Sequence, residues 1–534
     1  MQQQMAQTNE QKSLLTQSED ELATVDANIE SRPRQPPHPH RRSNLLASPL
    51  LRLSVELIVK IFEHAIELDN HDPFSRRPVL LVLTAVCQEL RNIGVTTPLL
   101  WSTVDLTNSS LAELYLQRCN HDPHTLKRSL PSRDMGAMSR TQDPWNETVW
   151  TQLEGRTFNN LHSLEFEGTL SEVKHRAVPI LQAAMNISSV DLRLPIDEYS
   201  PQLPWRPRSP IPHLSTLRVY GFSISWASPL LRNLTRMTLE LGPDHLLLYH
   251  TPIETFLTTL ANCPDLELLK LVRIGPSSPN GHRDDCDVVV QLHRLRELFL
   301  NFDHASTIGC ILSHIRYPES ARLEAGVLMG NHSNMCEAIS QILPHDNPGV
   351  LSQFQKAREL AVGLYRCSST FSTDKATIRR WHWTPEYSPQ VACRVIQKVL
   401  EVVEKDVVVL SIVAQDFNLS GAWESILHEL PRLEQIRWWF FGERKNPGVA
   451  DPFIYAFSLP FEGGLVCPRL THLELSREVV LQDQSATLLK RTLTERNACG
   501  LRLKWMGLID EITGLKIYDT PMLEQFRDLV DEVR

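Results

Sequence analysis

Side chains that could carry out chemistry are scattered along this sequence. The chain has 10 cysteines and 20 histidines among 534 residues, and no two cysteines form the C-x-x-C pair that structural zinc sites and redox dithiols use. The acidic run from Asp284 to Asp287 lacks the fixed spacing of oxygen ligands that a hard cation requires. We therefore expect no metal centre, and cysteines that are reduced and mostly buried.

Sequence patterns of catalysis are absent as well. The chain contains no G-x-S-x-G elbow, no H-E-x-x-H, no Walker-type phosphate loop and no G-x-G-x-x-G after a strand. Only 21 glycines serve 534 residues, so loops that cradle phosphate groups are scarce. We expect a binding protein that is not an enzyme and needs no cofactor.

The composition is that of a folded protein without an obvious charged or membrane partner. Apolar residues make up 42% of the chain, and 63 acidic against 54 basic residues give a net charge of -9. This balance argues against binding nucleic acid through phosphate neutralisation. No apolar run of about 18 residues and no secretory signal pattern occurs. We therefore expect no membrane partner and a location in the cytoplasm, the nucleus or both.

Residues 1–47 differ from the rest of the chain. Their first half is rich in glutamine and acidic residues, and SRPRQPPHPHRRS follows from residue 31. Prolines at this density favour an extended, solvated backbone, so we predict a disordered leader. The arginines of this run form either a nuclear-import or anionic-surface patch or a simple solvated linker.

Two amphipathic helices are predicted in residues 48–104. In LSVELIVKIFEHAI, which begins at Leu53, apolar residues recur at helical spacing after the N-cap residue Ser54. A second helix is predicted in LLVLTAVCQELRNIG, with Gly94 as its C-terminal stop, and TTPLLW follows it. Two helices with fewer than about 50 residues cannot bury enough surface to be stable alone. Their apolar faces must therefore meet a partner or the rest of the chain.

The order of these residues resembles the F-box, as it occurs in large families of fungal, basidiomycete-type F-box proteins. Ser54 stands where the family usually has proline, and Leu90 stands where it often has tryptophan. The matching residues are Leu53, Glu56, Leu57, Ile61, Phe62, Val86, Cys87, Arg91, Ile93, Thr97, Pro98, Leu100 and Trp101.

The resemblance covers about residues 49–101 and implies a function. It implies the substrate-recognition subunit of a Skp–cullin–F-box ubiquitin ligase, in which a short all-α module docks a Skp-type adaptor and, through it, a cullin. The alternative is a repeat scaffold or binding protein that acts outside any ligase. The adaptor-binding residues that the resemblance implies are Leu53, Leu57, Ile58, Ile61, Phe62, Val86 and Leu90.

Residues 105–515 repeat the pattern L-x-x-L-x-L between helix-like segments. The central apolar residues of six copies are separated by 26, 27, 20, 32 and 29 residues, which is the spacing of leucine-rich repeats. The sequence therefore predicts an α/β fold class, an irregular leucine-rich-repeat solenoid of parallel strands and helices that follows the helical module. A compact α/β domain built from similar units is the alternative. The six central residues are Leu164, Val190, Leu217, Met237, Leu269 and Leu298.

The C-terminal segment and one insertion in the array have predicted roles of their own. Residues 516–534 end in TPMLEQFRDLVDEV, which predicts a closing helix that shields the open end of the array. The insertion from residue 367 contains Arg379, Arg380, Trp381 and Trp383, and Arg with Trp is a common hot-spot combination at interfaces. We predict that this insertion is a loop that contacts the unknown target protein; the alternative is that its tryptophans anchor the loop on the core.

Overall fold

The computed structural model divides into two compact units, residues 1–192 and 193–534. The helical module and the first repeats share the first unit, and the remaining repeats form the second. The structure describes residues 48–69, 78–120, 122–128, 147–195, 201–207, 210–242, 251–276, 286–328, 335–343, 353–365, 368–373, 376–381, 389–403, 406–415, 423–441, 451–458, 460–461, 464–476, 483–509 and 524–533. The predicted leader of residues 1–47 lies outside these ranges.

The first unit opens with short helices. A 3-10 turn at Leu50–Arg52 precedes α1 (Val55–Asp69), and α2 (Val79–Val86) and α3 (Gln88–Thr96) follow it. A second 3-10 turn, Pro98–Trp101, ends the helical part, where the fixed φ of proline suits the first position of a helix. The prediction of helical structure here is confirmed.

The second predicted helix is in fact two helices, broken at Cys87. Cys87 is extended (φ -153°, ψ 166°), and its Sγ accepts the N–H of Leu90, so it serves as the N-cap of α3. Gly94 does not stop the helix as predicted, because α3 continues to Thr96. Gly94 is needed for close packing instead: a Cβ at this position would lie 2.5 Å from Cγ2 of Thr84.

Strand and helix alternate in the rest of the first unit. The elements are β1 (Thr103–Asp105), α4 (Ser109–Arg118), β2 (Thr125–Arg128), α5 (Glu147–Leu153), β3 (Ser163–Glu167), α6 (Leu170–Glu172), a π-helical turn (Val173–Ala177), α7 (Val178–Ala183) and β4 (Ser189–Arg193). β1 pairs with β2 and β2 with β3, both in parallel. Leu126 of β2 pairs with Leu164 of β3, and both are fully buried.

The second unit contains one long sheet and two short strand pairs. The strands are β5 (Thr216–Tyr220), β6 (Arg236–Glu240), β7 (Leu268–Val272), β8 (Val290–Gln291), β9 (Glu297–Phe302), β10 (Ile315–Arg316), β11 (Arg322–Val327), β12 (Glu359–Tyr365), β13 (Ser368–Thr373), β14 (Ala376–Trp381), β15 (Val409–Gln415), β16 (Gln435–Phe441), β17 (Pro460–Phe461), β18 (Gly464–Leu465), β19 (His472–Ser476), β20 (Leu503–Ile509) and β21 (Val530–Val533). β8 pairs with β10, and β17 pairs with β18.

Helices lie between many of these strands. They are α8 (Ile253–Ala261), α9 (Ala305–His314), α10 (Met335–Ile342), α11 (Pro389–Val402), α12 (Trp423–Glu429), α13 (Asp451–Ser458) and α14 (Asp483–Ala498). Consecutive apolar residues of the repeat pattern pair across the sheet, from Leu217 to Met237, Leu269 and Leu298, and all four are buried. Such strands bury one face and need neighbouring units to cover it. The parallel strands and intervening helices are those of a leucine-rich-repeat-like array.

One insert interrupts the parallel order. The sheet runs β5, β6, β7, β9, β11, β14, β13, β12, β15, β16, β19, β20, β21. The chain therefore passes from β11 over two strand positions to β12 and returns through β13 to β14, which pairs with β11. Within this sheet β13 is antiparallel to both neighbours.

The predicted closing helix at residues 516–534 is wrong over the residues that the structure describes. Only Glu524 is helical, turns follow, and Val530–Val533 form β21, which pairs in parallel with β20. The apolar residues Phe526 and Val530 are buried as the pattern required. They reach the core from a turn and a strand, because the spacing of apolar residues over so short a segment does not distinguish these structures.

Candidate docking surface

Exposed apolar side chains concentrate on the helical module. Of the thirteen large apolar side chains that are exposed among the described residues, eight lie between residues 53 and 99. Scattered single apolar residues are normal at a surface, but a local concentration marks an interaction site. The eight are Leu53, Val55, Leu57, Ile61, Leu68, Val82, Val86 and Leu99.

The exposed residues of α1 form one row. Leu57, Ile61 and Leu68 are separated by four and seven residues, which places them on one side of the helix. Leu57 is 48% exposed and Ile61 is 41% exposed. Each is followed in sequence by a buried residue, since Ile58 is 2% and Phe62 is 1% exposed. The helix therefore packs one apolar stripe inside the module and leaves the adjacent stripe outside.

The second exposed pair lies on α2. Val82 and Val86 are four residues apart and exposed, whereas Leu80 and Thr84 of the same helix are buried. α2 packs against α3 and also contacts α1. We call Leu57, Ile61 and Leu68 together with Val82 and Val86 the apolar rows.

Four of the seven predicted adaptor-binding residues, Leu53, Leu57, Ile61 and Val86, are exposed, and three are not. Ile58, Phe62 and Leu90 are buried and form the core of the module. A partner can contact them only if the module opens, so the closed module does not favour a docking role for these three residues, and that role stays a prediction. The sequence does not distinguish the two apolar stripes of α1, because helical spacing does not say which stripe faces inward.

Specific contacts fix the helices that carry the apolar rows. The indole Nε1 of Trp101 donates to the carbonyl oxygen of Gly94 at 2.7 Å, and Nε of Arg91 donates to that of Thr84 at 3.1 Å. The first bond joins the 3-10 turn Pro98–Trp101 to α3, and the second joins α3 to α2 across the break at Cys87. They hold the module in one arrangement while its outer surface stays apolar.

Charged residues border the rows on α1. Lys60 and His64 are exposed between the apolar positions, and His64 Nδ1 lies 3.6 Å from Oε2 of Glu67. At the start of α1, hydrogen bonds from the backbone N–H of Glu56 and from the Ser54 hydroxyl lower the pKa of Glu56. A carboxylate in the first turn also suits the positive end of a helix.

The predicted target-binding residues occupy a strand and not a loop. Arg379, Arg380 and Trp381 lie in β14, which is hydrogen-bonded to β11 on one side and β13 on the other. Backbone pairing on both edges fixes these positions within the sheet. Trp383 lies outside the described residues. Contact of these four residues with a target stays a prediction.

The aromatic run of β16 is partly a core feature. Trp438 is fully buried, and its ring packs edge-on against Trp423 and Phe453 at centroid distances of 4.8 and 5.4 Å. Trp439, one residue on, is half-buried. Buried and more exposed side chains alternate along a strand, so Trp438 belongs to the core of the second unit.

The second unit's sheet carries polar residues on the face opposite the buried row of Leu217, Met237, Leu269 and Leu298. Lys270 Nζ lies 3.3 Å from Oε2 of Glu240, and Arg437 Nε lies 3.4 Å from Oε2 of Glu474. Arg437 and Glu474 are paired in register on neighbouring strands, whereas Lys270 and Glu240 lie two residues apart in register. This face therefore offers both charge signs to a ligand.

The cysteines and charged groups of the described residues give no catalytic constellation. Among the seven cysteines whose side chains the structure describes, three are buried, three are half-buried and Cys499 is exposed. Burial raises the pKa of the Cys467 thiol to about 12, which disfavours its nucleophilic thiolate form. No three or more His, Cys, Asp or Glu side chains of the described ranges converge as metal ligands. Within the same ranges, every helix is too short or too polar to cross a membrane.

Comparison with known proteins does not assign the chain to a family. No protein-family model and no curated protein sequence matches the chain. Among solved structures, the leucine-rich-repeat-containing protein LegL7 from Legionella pneumophila is similar with a TM-score of 0.24 and 11% identity, over 72% of this chain and 93% of that one. A TM-score this low carries no argument. The leucine-rich-repeat-like description therefore depends on the order of strands and helices, and the F-box resemblance remains one of sequence.

Proposed function

We propose that this chain is the substrate-recognition subunit of a Skp–cullin–F-box ubiquitin ligase. The helical module docks a Skp-type adaptor, and through it a cullin, while the repeat array binds a target protein. The chain itself performs no chemistry, needs no cofactor and has neither nucleic acid nor membrane as a partner. Its mechanism is tethering, which raises the effective concentration of the target beside the ubiquitin-transferring enzyme.

The observation that carries this proposal is the concentration of exposed apolar side chains on the helical module. Full burial of a Leu, Ile or Val side chain is worth about 1.5–3 kcal/mol. Covering the exposed part of each side chain in the apolar rows would therefore contribute about 1 kcal/mol per residue. These five residues on two packed helices would supply the apolar anchors of a docking site, and the partner would present a complementary apolar groove.

The target-binding part of the proposal depends on the array. Parallel strands place side chains from many repeats on one face, which allows a large partner to be held by many weak contacts. The polar, two-signed face of the sheet in the second unit fits a protein partner better than a polyanion. The residues of β14 belong to this sheet, and we retain Arg379, Arg380 and Trp381, with Trp383, as candidates.

The test is co-purification of the chain with a Skp-type adaptor. Wild type should form a stable complex, and the double variant Leu57→Asp/Ile61→Asp should lose it. Phe62 is unsuitable for substitution because it is buried and its replacement would unfold the module. Met185→Asp is the matched control, since Met185 is 71% exposed and lies outside the module in the same unit.

The result also separates the alternative function. A chain that forms no adaptor complex, while its array still captures a protein by proximity labelling, would be a repeat scaffold outside any ligase. Retention of the complex by Leu57→Asp/Ile61→Asp would show that the apolar rows are not the docking surface. Either result would overturn the proposal.

A further inference from the structure

Two histidines of the first unit lie side by side at the start of neighbouring strands. His124 precedes β2 and His162 precedes β3, and these strands pair in register from Thr125 and Ser163 onward. The backbone N–H groups of His162 and Ser163 both donate to the carbonyl oxygen of His124, at 2.9 and 3.1 Å. The pairing of the strands therefore fixes the backbone beneath both imidazole rings.

The ring of His162 is held in one orientation. Its Nδ1 lies 2.5 Å from the carbonyl oxygen of Asn160, and because a carbonyl oxygen can only accept, Nδ1 carries the proton. Nε2 of the neutral ring therefore keeps an unused lone pair. Within the part of the chain that the structure describes, neither ring nitrogen of His124 has a hydrogen-bond partner. His162 is exposed and His124 is half-buried, so an ion from solution can reach both rings.

We propose that His124 and His162 together bind a zinc ion, which clamps β2 to β3. An imidazole bound through nitrogen places its ring centre about 3.2 Å from the ion, since the Zn–N distance is about 2.0–2.1 Å. The two ring centres are 5.5 Å apart, which corresponds to an angle of about 120° at a shared ion, close to tetrahedral coordination. The rings now meet edge to face, and a turn of the unbonded His124 ring aims its nitrogen at the ion on Nε2 of His162.

The surroundings of His162 are those of a metal ligand. Histidines that bind metals usually donate their second N–H to a backbone carbonyl or a carboxylate, which fixes the ring. Here the carbonyl of Asn160 has this role, and the carboxylate of Asp122 holds Asn160 in turn. Oδ2 of Asp122 lies 2.5 Å from Nδ2 of Asn160, and Oδ1 accepts the backbone N–H of Asn160 at 3.3 Å. This network also places a negative charge near the cation.

Two protein ligands make this site weaker than a structural zinc site with four. The remaining coordination positions belong to water. The spacing of histidines along the sequence does not reveal the site, because its ligands come from two different repeats that only the fold brings together. An ion that binds the folded arrangement stabilises it by mass action. The proposed adaptor docking does not depend on this ion.

The test titrates the full-length chain with Zn²⁺ alone and follows binding by calorimetry. Joining two ligands raises the affinity by about 10²–10⁴ over either ligand alone. His124→Gln and His162→Gln should therefore each weaken binding of this ion at least about 100-fold. His175→Gln is the matched control, since His175 is also an exposed histidine of the first unit and should leave the titration unchanged.

A second measurement locates the ion. Zn²⁺ should slow hydrogen exchange of the amides of His162 and Ser163 in wild type and in His175→Gln, but not in His124→Gln or His162→Gln. Binding by His124→Gln or His162→Gln that is as tight as in wild type would overturn the inference. An equal loss in His175→Gln would also overturn it, because the ion would then be held adventitiously by surface histidines.

Discussion

Replacing Gly94 by alanine tests how closely α2 and α3 must approach in the docking module. A Cβ at residue 94 would lie 2.5 Å from Cγ2 of Thr84, but an ordinary 3.6 Å from the ring of Phe62. Alanine in a helix interior is favoured over glycine by about 1 kcal/mol, whereas overpacking costs about 1–3 kcal/mol. We expect Gly94→Ala to destabilise the module by up to about 2 kcal/mol.

The second site for this test is Thr84 itself. Thr84→Ser removes Cγ2 but keeps a hydroxyl that can donate to the carbonyl oxygen of Leu81, at 3.0 Å in the wild type. In the Thr84→Ser background the steric cost is gone, so Gly94→Ala should become stabilising by about 0.5–1 kcal/mol. The two substitutions should therefore be coupled by about 1–3 kcal/mol in a double-mutant cycle.

The assay is hydrogen exchange of the amides in α1, α2 and α3 of the full-length chain. Protection there should change about tenfold for each 1.4 kcal/mol. Additive effects of the two substitutions would refute the claim that close packing constrains residue 94.

Three more predictions concern stability away from the docking surface. Burial raises the pKa of Glu172, but hydrogen bonds from Arg128 and Thr169 outweigh this effect and lower the pKa below 4.5. The ionised carboxylate therefore stabilises the first unit at neutral pH, and this contribution is lost as the pH falls below about 4.5. Glu172→Gln should accordingly make the free energy of unfolding less dependent on pH in that range, as measured by an acid titration of unfolding. Arg496 is fully buried and donates to two backbone carbonyl oxygens at 2.8 and 2.9 Å, so Arg496→Met should lower the urea midpoint by the equivalent of about 3 kcal/mol, and an unchanged midpoint would contradict this. Trp438→Ala should cost about 3–5 kcal/mol by calorimetry, and Trp439→Ala, which opens a half-buried site, should cost clearly less.

Much of the fold was predictable because apolar spacing reports burial directly. The repeat pattern placed Leu217, Met237, Leu269 and Leu298 on the buried face, and the structure confirms them as one row across parallel strands. In a strand, apolar residues recur at every second position on the covered face, so a short stretch of sequence is enough to identify the buried residues.

The failures have a different origin. The break at Cys87 depends on a thiol that caps α3, and cysteine is not among the usual N-cap residues. The position of β14 beside β11 depends on pairing between strands far apart in sequence, which no local pattern records. The buried position of Ile58 and Phe62 depends on how α2 and α3 pack over α1, so only the assembled module separates the inner stripe from the outer one.

The last strand has a consequence for the protein in solution. A leucine-rich-repeat sheet that ends in an uncovered strand offers free N–H and C=O groups, and copies of the chain could join end to end through them. β21 is only four residues long and carries Asp531 and Glu532, both exposed. Nε of Arg502 lies 2.8 Å from Oδ1 of Asp531, and so short a strand with charged side chains on both faces is a poor template for another chain, which opposes growth of the array into fibres.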